Sequence, residues 1–153
     1  MSQEQDSVVL AKTLRSYNWR LIKYRGLNLF LEISLQFMGF KKTIKLLDLL
    51  FRKVRIPNTE GFAYLDSALT IFNRIKETEF LKGKCLSQSL ALQFILRRRS
   101  IASELVVGTY IKEGVLFAHA WLERENEVLN DHPYIVSQYK VLLRQESSQL
   151  LNK

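Results

Sequence analysis

Apolar side chains recur at three- and four-residue intervals across residues 8–25 and 27–38, as at Leu10, Leu14, Tyr17 and Leu21. This spacing predicts two amphipathic helices with Gly26 as the break or kink between them. Gly39 closes a turn, and the helical period resumes through "KKTIKLLDLLFRKV". Pro57, Asn58 and Gly61 mark a loop around "IPNTEG", beyond which "FAYLDSALTIFNRIKETEF" reads as a further helix ending before Gly83. From Cys85 the period is again helical, with Leu86, Leu90 and Phe94 on one row and Ala91 and Ile95 on the next. That run stops at Arg97, Arg98 and Arg99, cations suited to the negative end of a helix dipole.

Beyond the arginines the period changes to two. "ELVVGTY", "VLFAHAWLE" and "EVLND" are short β-branched and aromatic runs separated by turn chemistry, and the tail "SQYKVLLRQESSQLLNK" reads as a return to helix. The expected class is α+β: a helical N-terminal half, then a core with a small antiparallel sheet. The 153 residues suit a single domain, 1–153, with a basic helical region over 1–56 and the core over 57–153.

Charge divides the chain at the same place. Residues 1–55 hold 11 Lys and Arg against 4 Asp and Glu, whereas the remainder is nearly balanced, within a net charge of +8. A basic helical front is either a solvated face or a docking surface for an acidic partner, a membrane surface or nucleic acid. The run "LNLFLEISLQFMGF" is short and interrupted by Glu32, so it reads as a buried helix, and no integral membrane segment is expected. "MSQEQDSVVL" carries acids and no base ahead of its apolar stretch, unlike a secretory signal, and the single cysteine has no disulfide partner. Both features point to the cytoplasm.

That cysteine, Cys85, heads the helix that begins in "GKCLSQSLAL". A lone cysteine is most often a small buried hydrophobe. At a helix N-terminus, however, unpaired N–H groups and the dipole stabilise a thiolate, and Lys84 would act in the same direction. Gly83 would let the chain turn and a substrate backbone approach. A nucleophilic thiolate needs a proton shuttle, and the chain offers His119 and His132. Parity along "VLFAHAWLE" puts His119 on one strand face with Phe117 and Trp121, while His132, before Pro133, reads as a surface-loop residue. A hairpin centred on Glu125 would set Glu123 opposite Glu127 and His119 opposite Asp131. Asp131 could then orient the imidazole as a triad carboxylate does. One cysteine and two histidines without ligand-spaced pairs make a poor zinc framework, so neither metal nor cofactor is expected.

"CLSQSLALQFILRRRSI", "LVVGTY" and "FAHAWLERENEVLND" resemble the transglutaminase-like cysteine peptidases of lasso-peptide biosynthesis, in the B-protein form split from its recognition domain. The resemblance spans roughly residues 60–135, with His119 34 residues after Cys85 and Asp131 12 after His119. It implies a papain/transglutaminase-like core, Cys85 as nucleophile, His119 as base and Asp131 as orienting acid. It also implies a ribosomal precursor peptide as substrate, a separate leader-recognition (RRE) protein, and an ATP-dependent macrolactam cyclase downstream. Two positions depart from the family pattern: Gln88, where a basic residue is frequent, and Ser100, where glycine usually follows the arginines. A serine forced into a left-handed C-cap would cost some stability. Two other readings stay open. The same triad could transfer an acyl group to an amine, or the chain could be a non-catalytic basic adaptor acting through residues 12–55.

Overall fold

The computed structural model describes residues 2–51, 61–76 and 84–146, with side chains over 19–49, 64–74, 76 and 84–146. Helix α1 spans Ser2–Phe51, α2 Gly61–Lys76 and α3 Cys85–Arg98. Strands β1 (Glu104–Lys112), β2 (Val115–Arg124) and β3 (Glu127–Val128) follow, then the short helix α4 (Pro133–Val136) and strand β4 (Lys140–Glu146). The IPNTEG loop and Gly83 fall outside the described residues, apart from Gly61, which opens α2.

The expected break at Gly26 is absent: α1 stays helical there and is interrupted at Gly39 alone (φ 73°, ψ 170°). A helical glycine costs only about 1 kcal/mol against alanine. Buried Tyr24 and Asn28 on either side of Gly26, with Leu31 a turn further on, outweigh that cost. At Gly39 the left-handed φ is one that glycine adopts without strain. Helix α1 then re-enters the core through Thr43, Ile44 and Leu47.

One apolar cluster joins Tyr24, Leu31 and Leu47 of α1, Ala68 and Phe72 of α2, and Leu90 to Leu92 of α3 with Leu105 and Leu122 of the sheet. A smaller cluster, Val106, Trp121 and Val136, packs apart from it with Val128 and Tyr139. Helix α3 lies at the centre, against α1, α2 and β2. It ends in a Schellman arrangement, Ile101 N–H donating to Leu96 O (3.0 Å) and Ser100 N–H to Arg97 O (3.0 Å). Ser100 occupies the left-handed position at φ 58°, as the departure from glycine implies. The arginine triplet finishes the helix and ties it down: Arg97 pairs with Asp48 (2.7 Å), and Arg99 lies over the Tyr64 ring.

The sheet is antiparallel in the order β3-β2-β1-β4. Two corrections arise here. The tail forms strand β4 rather than helix as far as Glu146, pairing with β1. Its apolar triplet Val141, Leu142 and Leu143 fits either period, and the open edge of β1 selects the extended form. The β2–β3 connection is a two-residue turn at Glu125–Asn126, both at positive φ, so Glu123 faces Val128 instead of Glu127. Two consecutive residues at positive φ give a turn whose twist matches the right-handed twist of the strands. No helix among the described residues is long and apolar enough to cross a membrane.

Candidate active site

Strand β3 is only two residues long and pairs with Glu123 and Arg124, leaving the outer edge of β2 without a strand partner from Leu122 back towards His119. Buried backbone groups along that edge must be satisfied singly. Ser89 of α3 donates to Ala120 O (3.0 Å), and Leu122 N–H donates to Asn130 Oδ1 (2.7 Å). Asn130 Nδ2 donates in turn to Ser89 Oγ (2.9 Å), and Leu129 N–H closes onto Leu122 O (2.9 Å). The Ala120 N–H is directed at the sulfur of Cys85. This buried polar chain fixes the start of α3 beside β2.

Cys85 is the first residue of α3, partly buried, following Lys84 at the N-cap. Burial pushes its thiol pKa up. The hydrogen bond and charge of His119, with backbone N–H groups of Ala120 and Leu86, outweigh burial and hold the thiol below its ordinary value. The Lys84 ammonium turns to Glu32 of α1 (3.9 Å), and His119 supplies the positive charge at the sulfur.

His119 Nε2 lies 2.7 Å from Asp131 Oδ2. With that nitrogen engaged, Nδ1 is the one left to face the sulfur. The hydrogen bond to Asp131 is the foremost cause, followed by that to Cys85, of a histidine pKa raised to about 9 despite burial. The ring sits against Trp121 (centroids 6.0 Å apart) and Tyr139 (5.3 Å). Gly108, opposite His119 on β1, makes this packing possible: a Cβ there would lie 2.9 Å from Tyr139 Cβ and 3.0 Å from Trp121 Cη2.

Asp131 does not face His119 across a ladder, since the observed turn shifts the register by one residue and the chain leaves β3 at Val128. The carboxylate reaches the ring from the loop. Its Oδ1 accepts from the His132 N–H (2.8 Å), and its Oδ2 accepts from Lys76 Nζ (3.1 Å) as well as approaching His119. Burial acts first, pushing the carboxyl upward. The hydrogen bonds from His119, His132 and Lys76 overcome it and hold Asp131 well below the usual carboxylate range. His132 lies on the surface, as expected, and its Nδ1 accepts from the Tyr134 N–H to cap α4.

Lys76, Asn130 and Ser89 were not singled out by sequence pattern. Lys76, in the last turn of α2, also donates to Asn130 O (3.1 Å), a role that helical spacing does not reveal. Ser89 and Asn130 carried one available signal, a polar side chain on an inward helical row and an amide beside the candidate carboxylate. Among the described residues no group of His, Cys, Asp and Glu side chains is gathered as a metal ion would require.

A thiol, an imidazole and a carboxylate placed in this order suit acyl transfer through a thioester. Residues 28–144 match the transglutaminase-like superfamily, and the chain belongs to it. It is also similar to the microcin J25-processing protein McjB of Escherichia coli, at 34% identity over 61 residues. The aligned stretch covers 40% of this chain and 28% of that relative's length. No solved structure matches.

Proposed function

We propose that the protein is a cysteine peptidase that removes the leader peptide from a lasso-peptide precursor. It would act in the cytoplasm with a separate leader-recognition protein, before an ATP-dependent cyclase closes the macrolactam. The observation that carries the reading is His119, bonded to Asp131 at 2.7 Å while its charge and hydrogen bond act on Cys85. Likeness to a microcin-processing protein and the family resemblance of the Cys85, His119 and Asp131 segments supply the substrate class.

In this mechanism the Cys85 thiolate attacks the carbonyl carbon of the last leader residue, forming a C–S bond. Backbone N–H groups in the first turn of α3 stabilise the resulting oxyanion. Collapse breaks the C–N bond, and the His119 imidazolium gives its proton to the departing core-peptide amine. Neutral His119 then takes a proton from water as the water attacks the thioester. The leader leaves with a new carboxylate, and the thiolate–imidazolium pair is restored. Asp131 remains ionised throughout and orients the ring.

Alkylation by iodoacetamide across pH tests the reactive pair, with wild type beside His119→Ala. The expected outcome is rapid alkylation below pH 7 that slows by about 10²-fold in the variant, in line with the usual effect of a positioned acid–base group. Slow alkylation with an ordinary thiol profile, unchanged by recognition protein and leader peptide, would refute the peptidase reading. Mass analysis of precursor peptide with a labelled amine present distinguishes the acceptor: a free leader carboxylate supports hydrolysis, and an amide product overturns it.

A further inference from the structure

A second concavity lies where α1, α2 and α3 converge, enclosing about 470 Å³. That volume is within the range of small-ligand sites. It is lined near the far end of α3, from Phe94 to Arg99. At 1.5 Å per helical residue, those positions stand about 14–21 Å along the axis from Cys85. The cleft is therefore separate from the thiol site, and nothing in the proposed reaction uses it.

Its lining joins an apolar floor to one sign of charge. Leu27, Ala68, Ile71 and Phe94 form the floor, and Arg20, Lys23, Arg98 and Arg99 supply four cations without an acidic residue among them. No ion pair engages these four among the described residues. Arg20 makes a long contact to Ser67 Oγ (3.3 Å), Lys23 lies over the Trp19 ring, and Arg99 over Tyr64. No described carboxylate neutralises them.

Two polar atoms are also left unmatched. Tyr24 lines the cleft at 4% exposure, and its hydroxyl has no hydrogen-bond partner among the described residues. The Nε of Arg98, on the same lining, is likewise buried and unpartnered. Burial, followed by the neighbouring Tyr64, holds the Tyr24 phenol well above its ordinary pKa, so the hydroxyl is a donor at neutral pH. A buried donor without an acceptor is unfavourable, because its lost hydration is not offset. A carboxylate, with two acceptor oxygens and a negative charge, suits both the donors and the cations.

We infer that this cleft binds an organic carboxylate carried on an apolar body, with Arg98, Arg99 and Tyr24 receiving the acid and Ile71 and Phe94 receiving the body. The Tyr24 hydroxyl is buried, so the ligand reaches it by side-chain rotation within the lining. A bare inorganic anion would meet the cations but leave the apolar floor uncovered, whereas an apolar body buries it. Such a carboxylate has two sources, a free aliphatic acid or an acidic residue flanked by apolar ones in a peptide. The inference is independent of the peptidase reading, because it concerns binding at another site.

Calorimetric titration of the full chain with octanoate against octanamide, and with acetyl-Phe-Glu-Leu-amide against acetyl-Phe-Gln-Leu-amide, tests it. At least one acid should bind tenfold or more tightly than its neutral counterpart. Which acid does so identifies the source. The double variant Arg98→Gln/Arg99→Gln should lose at least tenfold in affinity, and Tyr24→Phe several-fold, while Cys85→Ala and the exposed Lys41→Gln leave binding unchanged. Equal binding of acid and amide in both series, no binding at millimolar concentration, or a loss in Lys41→Gln as large as in the arginine double variant would overturn the inference. The wild-type acid-against-amide comparison decides the matter even if a variant fails to fold.

Discussion

At the residue scale, the chemistry of the site depends on how two cations share one carboxylate. Asp131 Oδ2 is approached by His119 at 2.7 Å and by Lys76 at 3.1 Å. The carboxylate favours the imidazolium, whereas the ammonium opposes it by like charge. Ring titration of His119 by NMR should therefore give a value near the 9 to which its environment raises it. Asp131→Asn should lower that value, and Lys76→Met should raise it, whereas a purely steric role for Lys76 would leave it unmoved. The same shift carries a sign for stability. A histidine pKa raised on folding contributes stability that is full below the unfolded value near 6.5 and is lost as pH rises through about 9. The urea midpoint of wild type should accordingly fall between pH 6 and pH 10 more than that of His119→Gln. Cys85 and His119 titrate together, so the acid and alkaline limits of reactivity belong to the pair.

At the element scale, α3 is held at one end by a buried polar chain and at the other by a strained cap. Asn130 is 5% exposed and links Leu122 N–H to Ser89. Asn130→Ala would leave those groups unmatched, at a cost of roughly 1–3 kcal/mol. It should also loosen the approach of α3 to β2 and slow Cys85 alkylation in the folded protein. Ser100 is the opposite case. A non-glycine residue at φ 58° carries a penalty of about 1 kcal/mol, so Ser100→Gly should raise the urea midpoint without altering alkylation. Together the two variants distinguish the end of the helix that serves the thiol from the end that serves only stability.

At the scale of the whole molecule, helix α1 shares its core with the elements that carry the site. Leu31, fully buried, belongs to the same cluster as Leu90 of α3 and Leu122 of β2. Leu31→Ala should cost about 2–5 kcal/mol, as large-to-small core changes do. Urea unfolding followed by far-ultraviolet circular dichroism and by Cys85 accessibility should shift by the same amount for both signals. Separate transitions would show that the helical front folds apart from the thiol site. Other described side chains of α1 face outward, with Phe37 81% exposed, and Lys41, Lys42 and Lys45 are exposed as well. Arg20 and Lys23 differ in lining the cleft against α2 and α3, where they lie beside an unpartnered phenol.

What the sequence determined by itself was periodicity and order. The 3.6-residue spacing of α2 and α3, the change to period two at Glu104, the left-handed Ser100 and the succession Cys85, His119, Asp131 are all local patterns. Local patterns reflect backbone sterics and the alternation of apolar side chains, which a short window contains. Only tertiary structure decided that Gly26 stays helical, because the burial that offsets its entropy comes from distant helices. The last strand likewise depended on the open edge of β1, since Val141 to Leu143 satisfy two periods equally. Asp131 was expected opposite His119 through a hairpin register that the two-residue turn then displaced. The pair forms nonetheless, because the loop returns the carboxylate to the ring, where Lys76 and the His132 N–H hold it. Lys76 and the cleft around Tyr24 could be known only this way, since each joins residues that spacing along the chain does not relate and packing alone brings together.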